Sequence, residues 1–462
     1  MKPVRTAVRY SASILLATLV SGAALAQTPP PDAPPPEAPP SDAPPPAPLP
    51  PPAPPPPAVA APMAPMATPP PPAEAPVTVV PAAQPPFKIE TPNKSTFKAG
   101  LLVQPQYQAT QPRFPAGAGP SGYSNDLFIR RTRILIGGTL FGVFEYFVDT
   151  DYPNLFLQNV PVTDAMGMTT TNALKNTPGM NIQDAFITWK AAGDLLKIDV
   201  GYMLPPLAHN AVQGATTLYG WDYFFNTFRS GNSFGTQPPA AGILGPPVPQ
   251  SPVGRDAGFE LRGLVADGLV EYRVGLFQGL RQVGTATDAR ARNMFRTTGR
   301  VQINLMDPET GFFYAGSYLG TKKILSIGGS VDFQDSGSTT AYRYFAGDVF
   351  VDQPFGSAGV LTAQVNVAHW DGGTMPLVAV PKSTAIMGEA GFLIGAAHLS
   401  PIIRAEHLWV TNANDDTYLG GGFAFWPYGH NSNLKAFYTN HKVQNAPNSG
   451  NQFNVQWQLY FF

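Results

Sequence analysis

Acidic and basic residues standing two apart are the side chains in this sequence that could do chemistry. Glu260 with Arg262, Glu271 with Arg273, and Arg404 with Glu406 each share one face of an extended chain. So do Arg131 with Arg133, Glu145 with Asp149, and Arg296 with Arg300, while Asp184 and Lys190 fall in phase within IQDAFITWK. The residues between them are mostly apolar: Phe144, Tyr146 and Val148 alternate with Glu145 and Asp149, and Val301 and Ile303 with Arg300, Gln302 and Asn304. A side-chain period of two puts such sets on opposite faces of a strand. Under a protein core, unpartnered carboxylates and guanidinia would cost several kcal/mol each. Facing water they are stable, and their summed field acts on passing ions. Two readings stay open: ion pairs that fill a wet lumen, or opposed rows of charge that orient permeant solutes.

Other chemistry finds little support. GNSFG, Gly231 to Gly235, matches the pattern of a nucleophile elbow, but that motif needs a helix after it, and TQPPAAG follows. The six histidines are scattered, without metal-ligand spacing, and NANDD at Asn412–Asp416 reads as a polar turn rather than a calcium loop. The absence of cysteine removes disulfides and thiol chemistry. No basic stripe or phosphate-cradling loop points to nucleic acid or nucleotide. No catalytic residue, metal or cofactor is assigned, and no enzyme is expected. An outer-membrane esterase built on Ser233 is the weak alternative.

The elements that must position the charged face are strands. After Phe87 no apolar stretch reaches the roughly 18 residues of a membrane helix. Instead about sixteen runs of roughly ten residues alternate in polarity, the length of a tilted membrane strand. They begin at Phe97–Tyr107 and Leu127–Leu140 and end at Leu434–His441 and Phe453–Phe462. Short turns are expected at Phe141-Gly142, Ala191–Asp194, Ala266–Gly268, Asp307–Gly311, Phe355–Gly359 and His398–Ser400. Longer segments lie at 108–126, 151–181, 204–254, 278–294 and 371–384. Short turns on one rim and long loops on the other mark an outer-membrane barrel. The predicted fold is all-β, a transmembrane antiparallel β-barrel of about 16 strands, wide enough for an aqueous lumen where eight strands would be filled.

The longest loop, Leu204 to Gly254, carries Trp221, Tyr223, Phe224, Phe225 and Phe228. That much apolar surface does not stand in water, so the loop is expected to fold inward and constrict the lumen, or to pack on a neighbouring subunit. Its basic residues are Arg229 and, at its end, Arg255. Arg130, out of phase with Arg131, is placed at the interface. Trp189, Trp370, Trp409, Trp426 and Trp457 are expected near strand ends or on outward faces, as aromatic girdles, with buried core packing the equal alternative for any one of them. In FNVQWQLYFF the alternation Phe453, Val455, Trp457, Leu459, Phe461 leaves Phe462 one residue out of step, as an extra residue or the mark of a bulge.

Three strand–turn–strand segments carry a resemblance: FIRRTRILIGGTLFGVFEYFVDTD, IQDAFITWKAAGDLLKIDVGYMLPPL and GRDAGFELRGLVADGLVEYRVGLFQG. With the aromatic C-terminus they resemble the phosphate-selective porin O and P family of bacterial outer membranes, over about residues 97 to 462. The resemblance implies a sixteen-stranded, usually trimeric channel narrowed partly by an infolded loop. Phosphate-specific members concentrate arginines and lysines along that loop, and this chain does not. The chain carries 29 basic and 30 acidic residues; setting aside three basic residues before Ala26 and four acidic ones in the proline tract leaves 26 of each sign. A neutral barrel argues against strong selectivity of either sign.

At the N-terminus, Lys2, Arg5 and Arg9 precede an apolar run, Ile14 to Val20, and the small residues ending at Ala26. This is the pattern of a secretory signal, residues 1–26. Residues 27–86 are a proline- and alanine-rich tract, in which proline removes amide donors and fixes φ. They are expected to be a disordered, extended periplasmic linker. The expected function is passive diffusion of small hydrophilic solutes and ions, including anions such as phosphate, by a homotrimer in the outer-membrane lipid of a Gram-negative bacterium. Arg131, Arg133, Glu145, Asp149, Asp184, Arg229, Glu260, Arg262, Glu271, Arg273, Arg296, Arg300, Arg404 and Glu406 are the expected pore-lining residues. The alternative is a barrel that anchors a proline-rich arm touching the cell wall or a partner.

Overall fold

The computed structural model describes residues 87–111, 122–157, 161–163, 169–171, 180–227, 254–279, 295–335, 342–372, 382–446 and 449–462. The signal, the proline tract, Phe228, Arg229 and the Gly231–Gly235 motif lie outside them.

Sixteen strands form one closed antiparallel barrel, and a short seventeenth strand, Phe87–Glu90, joins the sheet by pairing with Thr96–Ala99 at the barrel's start. The barrel strands are β1 (Thr96–Gln111), β2 (Ser124–Leu140), β3 (Phe144–Asp151), β4 (Asn181–Trp189), β5 (Lys197–Met203), β6 (Asp256–Val265), β7 (Val270–Phe277) and β8 (Arg296–Asn304). The second half comprises β9 (Ile324–Gln334), β10 (Tyr342–Pro354), β11 (Gly359–Asp371), β12 (Ser383–Ile394), β13 (Leu399–Val410), β14 (Asp416–Tyr428), β15 (Ser432–Val443) and β16 (Gly450–Phe461). Each pairs with the next, and β16 returns to β1 through partners such as Gln456 and Gln106. Closure satisfies every strand edge, which a sheet crossing hydrocarbon requires.

The alternation read from the sequence sets the two faces. In β8, Arg296, Thr298, Arg300, Gln302 and Asn304 are buried within the barrel, while Val301 and Ile303 are exposed outside. Ile134, Ile187, Val200, Ile327, Val365 and Ile403 continue the outer apolar surface around the barrel.

Three register shifts interrupt the ladder, one of them between Phe425 and Tyr428, and the other two bring neighbouring residues to the same face. Val103 pairs with Thr132, but Pro105 pairs with Ile129, so β2 holds one extra residue here. Arg130 and Arg131 thus both reach the inside, and the placement of Arg130 at the interface is corrected. A second shift, between Asp149 and Thr150, brings Gln183 and Asp184 of β4 inside together. An inserted residue reverses the phase of everything beyond it, which alternation alone does not reveal.

The rims differ as expected, with one correction. Short turns close 141–143, 266–269, 355–358, 395–398 and 429–431; at the first, Phe141 and Gly142 take φ of 55° and 75°, the left-handed geometry of a tight hairpin. The connection between β8 and β9 is no five-residue turn at Asp307–Gly311. It runs over 305–323 and enters the barrel.

The tryptophans divide. Trp189, Trp409 and Trp457 are each 48% exposed on the outer face, but Trp370 and Trp426 are fully buried inside, where the infolded segments give aromatic rings something to pack on. Phe462 is an extra residue beyond β16: its ring turns inward onto Phe147, 5.6 Å between centroids.

Candidate functional site

Two segments enter the lumen, one from each rim. Residues 204–227 descend from the long-loop rim, and 305–323 rise from the short-turn rim. They meet through backbone hydrogen bonds: Gly214 N–H donates to Tyr314 O (2.9 Å), Tyr314 N–H to Val212 O (3.1 Å), and Gly316 N–H to Thr217 O (3.0 Å). Beside this seam His209 Nε2 lies 2.9 Å from Glu309 Oε2, both residues fully buried. The imidazole stacks between Tyr314 and Phe350, at 4.9 and 4.3 Å. Burial would raise the Glu309 carboxyl, but His209, Tyr318 and Gln302 together hold it below its ordinary value.

Chain that leaves the sheet carries backbone donors and acceptors that still need partners, and the inner wall supplies them. Glu406 accepts from the N–H groups of Phe225 (2.9 Å) and Asn226 (3.0 Å). Arg404 donates to the carbonyls of Asp222 (2.8 Å) and Tyr223 (3.1 Å), and Lys435 to those of Leu218 and Gly220. Arg300 donates to Leu207 O, and Arg273 to the carbonyls of Phe312 and Gly311. Several residues predicted to line open water therefore fasten the infolded chain.

Across the lumen Asp222 is gripped by the bulge of β2. Arg131 Nη2 lies 2.5 Å from Oδ1, and Arg130 Nη2 2.9 Å from Oδ2. Burial alone would raise this carboxyl, but Arg130 and Arg131 hold it well below the usual carboxylate range. Tyr223 sits beside the clamp with its hydroxyl donating to Gln213 O (2.7 Å).

The remaining candidates form ion pairs, mostly across strands rather than along them. Arg133 bridges Asp149 and Asp151, Arg255 holds Asp184, Arg262 holds Asp199, and Lys190 holds Glu145. Arg296 chelates Asp332, Arg300 chelates Asp348, and Arg404 pairs with Glu389. Of the three expected pairs two apart, only Glu271 with Arg273 bonds along its strand, at 2.7 Å; Glu260 lies 3.7 Å from Arg273 on the neighbouring strand. Directly opposed residues on adjacent strands stand closer than residues two apart on one strand. Sequence reading missed Asp199, Asp332, Asp348 and Glu389, whose in-phase positions could have shown them. It also missed His209 and Glu309, which no periodicity marks.

Among the described residues, the infolded chain borders a cavity near each rim. A chamber of about 720 Å³ at the short-turn rim is lined by Lys98, Arg133, Asp184 and Arg262 together with Phe312 and Phe462. A cavity of about 200 Å³ lies at the long-loop rim, by Phe225, Tyr418 and His441. Among the described residues, no group of three or more acidic or histidine side chains could hold a metal ion.

A closed sixteen-strand antiparallel barrel, apolar outside, polar inside and narrowed by infolded chain, has the architecture of an outer-membrane porin. The chain is similar in fold to an anion-selective porin from Comamonas acidovorans, with a TM-score of 0.51 at 12% identity, covering 79% of this chain and 100% of that one. The outer membrane channel DcaP of Acinetobacter baumannii aligns with a TM-score of 0.47 at 10% identity over 81% of this chain and 99% of that one. No family model matches the chain, and no curated protein matches its sequence; the likeness is one of fold.

Proposed function

We propose that this protein is an outer-membrane porin, a passive diffusion channel for small hydrophilic solutes and ions. The observation that carries this reading is the inner wall: charged and amide side chains face the inside of a barrel whose outer face is apolar, and chain folded in from both rims narrows the space they enclose. The constriction is the clamp of Asp222 between Arg130 and Arg131, beside Tyr223. Solutes are sorted there chiefly by size. Each inward arginine named above has a carboxylate partner, so their fields cancel at short range and ion preference is weak.

A specific observation favours anions at the inner mouth. Lys98 and Lys322 line the lower chamber, and among the described residues neither has a carboxylate partner. A phosphate preference would rest on these two lysines rather than on the arginines of the wall. Reversal potential in a planar bilayer under a KCl gradient decides between the two. A large conductance with little preference supports the general pore, chloride preference with block by phosphate supports the lysine-based reading, and no conductance from folded protein overturns both.

The resemblance of the sequence further supports a homotrimer, and the N-terminal pattern supports export with cleavage after Ala26 and a proline-rich periplasmic spacer, with contact to the cell wall as the alternative role of that tract. Sizing in detergent, N-terminal sequencing and sedimentation with peptidoglycan test these in turn.

A further inference from the structure

The cavity at the long-loop rim differs from the rest of the lumen in its chemistry. Three rings are stacked there in near-parallel planes: Phe225 on Tyr418 at 4.4 Å and 11°, and Tyr418 on His441 at 4.0 Å and 6°. Phe225 ends the stack and is 37% exposed. Around the rings stand Thr110, Gln111, Thr439, Asn451 and Gln452. Among the described residues that line it, the one titratable base is His441, which has Asp416 Oδ1 3.1 Å from its Nε2, so these residues offer no unbalanced charge to an ion.

From this cavity a row of neutral amides continues down the wall formed by β1 and β16. Gln452 donates to Asn454, Gln106 to Asn454, Gln456 to Gln106, and Gln104 to Gln458. Gln458 donates in turn to Thr216 O, and Thr216 lines the lower chamber. Each amide has two donor hydrogens and two acceptor lone pairs; Gln104, Gln106, Asn454, Gln456 and Gln458 are buried and bond to one another, so the row backs the cavity with neutral polar wall rather than with charge.

We infer that the Phe225–Tyr418–His441 stack and its surrounding amides form a binding site for neutral, ring-shaped polyhydroxylated solutes, monosaccharides above all. A pyranose ring has a C–H face that packs on an aromatic ring and an equatorial belt of hydroxyls that both donate and accept. The site supplies the ring at Phe225 and the matching amides and hydroxyls at its rim, the pattern of an apolar pocket with a few convergent polar groups. At about 30 Å³ per water the cavity holds roughly half a dozen waters, the space of one sugar ring with its hydroxyls. The inference deepens the channel reading by naming a solute class for this mouth.

Calorimetric titration of the detergent-solubilised mature protein with glucose tests the site independently of conduction. Mannitol, which has the hydroxyls but no ring, and inorganic phosphate serve as comparisons. Saturable binding of glucose, at least tenfold tighter than either, is expected. Phe225→Ala and Phe225→Leu should each weaken glucose at least tenfold, while the heat-shifted gel mobility of a folded barrel is kept. Equal binding of mannitol, full affinity in Phe225→Leu, or no heat with glucose overturns the site. A channel that conducts but does not bind glucose leaves the porin reading standing; glucose binding without conductance removes that reading and keeps the site.

Discussion

Asp222 and Arg131 meet across the lumen, 2.5 Å between Oδ1 and Nη2, although one belongs to the infolded loop and the other to the barrel wall. Arg130 shares the same carboxylate because the bulge of β2 turns two consecutive arginines inward. Removing one member of a buried ion pair leaves the other charges uncompensated. Asp222→Ala should therefore release the loop at this point and expose two guanidinium groups to the lumen. Single-channel recording is expected to show conductance raised about twofold or more, with reversal potential shifted toward chloride. Unchanged conductance would mean that the constriction lies elsewhere.

The same clamp should resist acid. The Asp222 carboxyl is held below the usual carboxylate range, so its contribution is present above the unfolded value, about 3.9, and is lost only as pH falls through the lower folded value. Conductance of the native channel should show no clamp-related opening between pH 7 and about pH 4. A step in conductance near pH 5 that disappears in Asp222→Asn would contradict this.

His430, in the turn between β14 and β15, has the opposite dependence. Its Nε2 lies 2.9 Å from Ser317 O of the infolded segment, and burial pushes the imidazole down to about 4. Below the unfolded value of about 6.5 the unfolded chain takes a proton that the folded chain refuses. Stability should fall between pH 6.5 and 4, by roughly 3 kcal/mol at the low end, and flatten below. Urea unfolding in lipid vesicles should show this slope in the native protein and not in His430→Gln.

The barrel was legible because strands with water on one side and lipid on the other write their polarity at period two; β8 shows this from Arg296 to Asn304. What escaped depends on contacts that periodicity does not encode. The bulges at Arg130 and Gln183 each follow from one inserted residue. Segment 305–323 resembles a turn because Asp307, Pro308 and Gly311 are turn formers, yet Tyr314 and Glu309 make it a buried partner of the long loop. Trp370 and Trp426 face inward for the same reason: aromatic rings inside a barrel need infolded chain to pack against.

That division of the tryptophans is measurable. Trp189, Trp409 and Trp457 face outward and Trp221, Trp370 and Trp426 are buried within. In vesicles of lipids brominated along the acyl chains, quenching should remove the emission of the first three only. Trp409→Phe should reduce the quenchable fraction, and Trp370→Phe should reduce the protected one. If Trp370→Phe lowers the quenchable fraction instead, the inward packing of β11 is wrong.

The seam between the two infolded segments should govern how firmly the lumen is narrowed. His209 and Glu309 lie 2.9 Å apart, and Gln302 and Tyr318 also donate to the Glu309 carboxylate. Glu309→Ala removes an acceptor shared by three donors and leaves His209 and Gln302 buried without it, a cost of about 1–3 kcal/mol per unsatisfied buried group. His209→Ala removes the ring packed between Tyr314 and Phe350 but leaves the carboxylate its other two donors. Glu309→Ala should therefore free segment 305–323 more completely than His209→Ala. Limited proteolysis from the short-turn side should cut near Phe312 faster in both variants, with Glu309→Ala ahead, while the barrel itself stays resistant. Open-channel noise should rise in the same order. Equal resistance of native and Glu309→Ala protein would show that the backbone bonds at Gly214 and Gly316 hold the seam without the carboxylate.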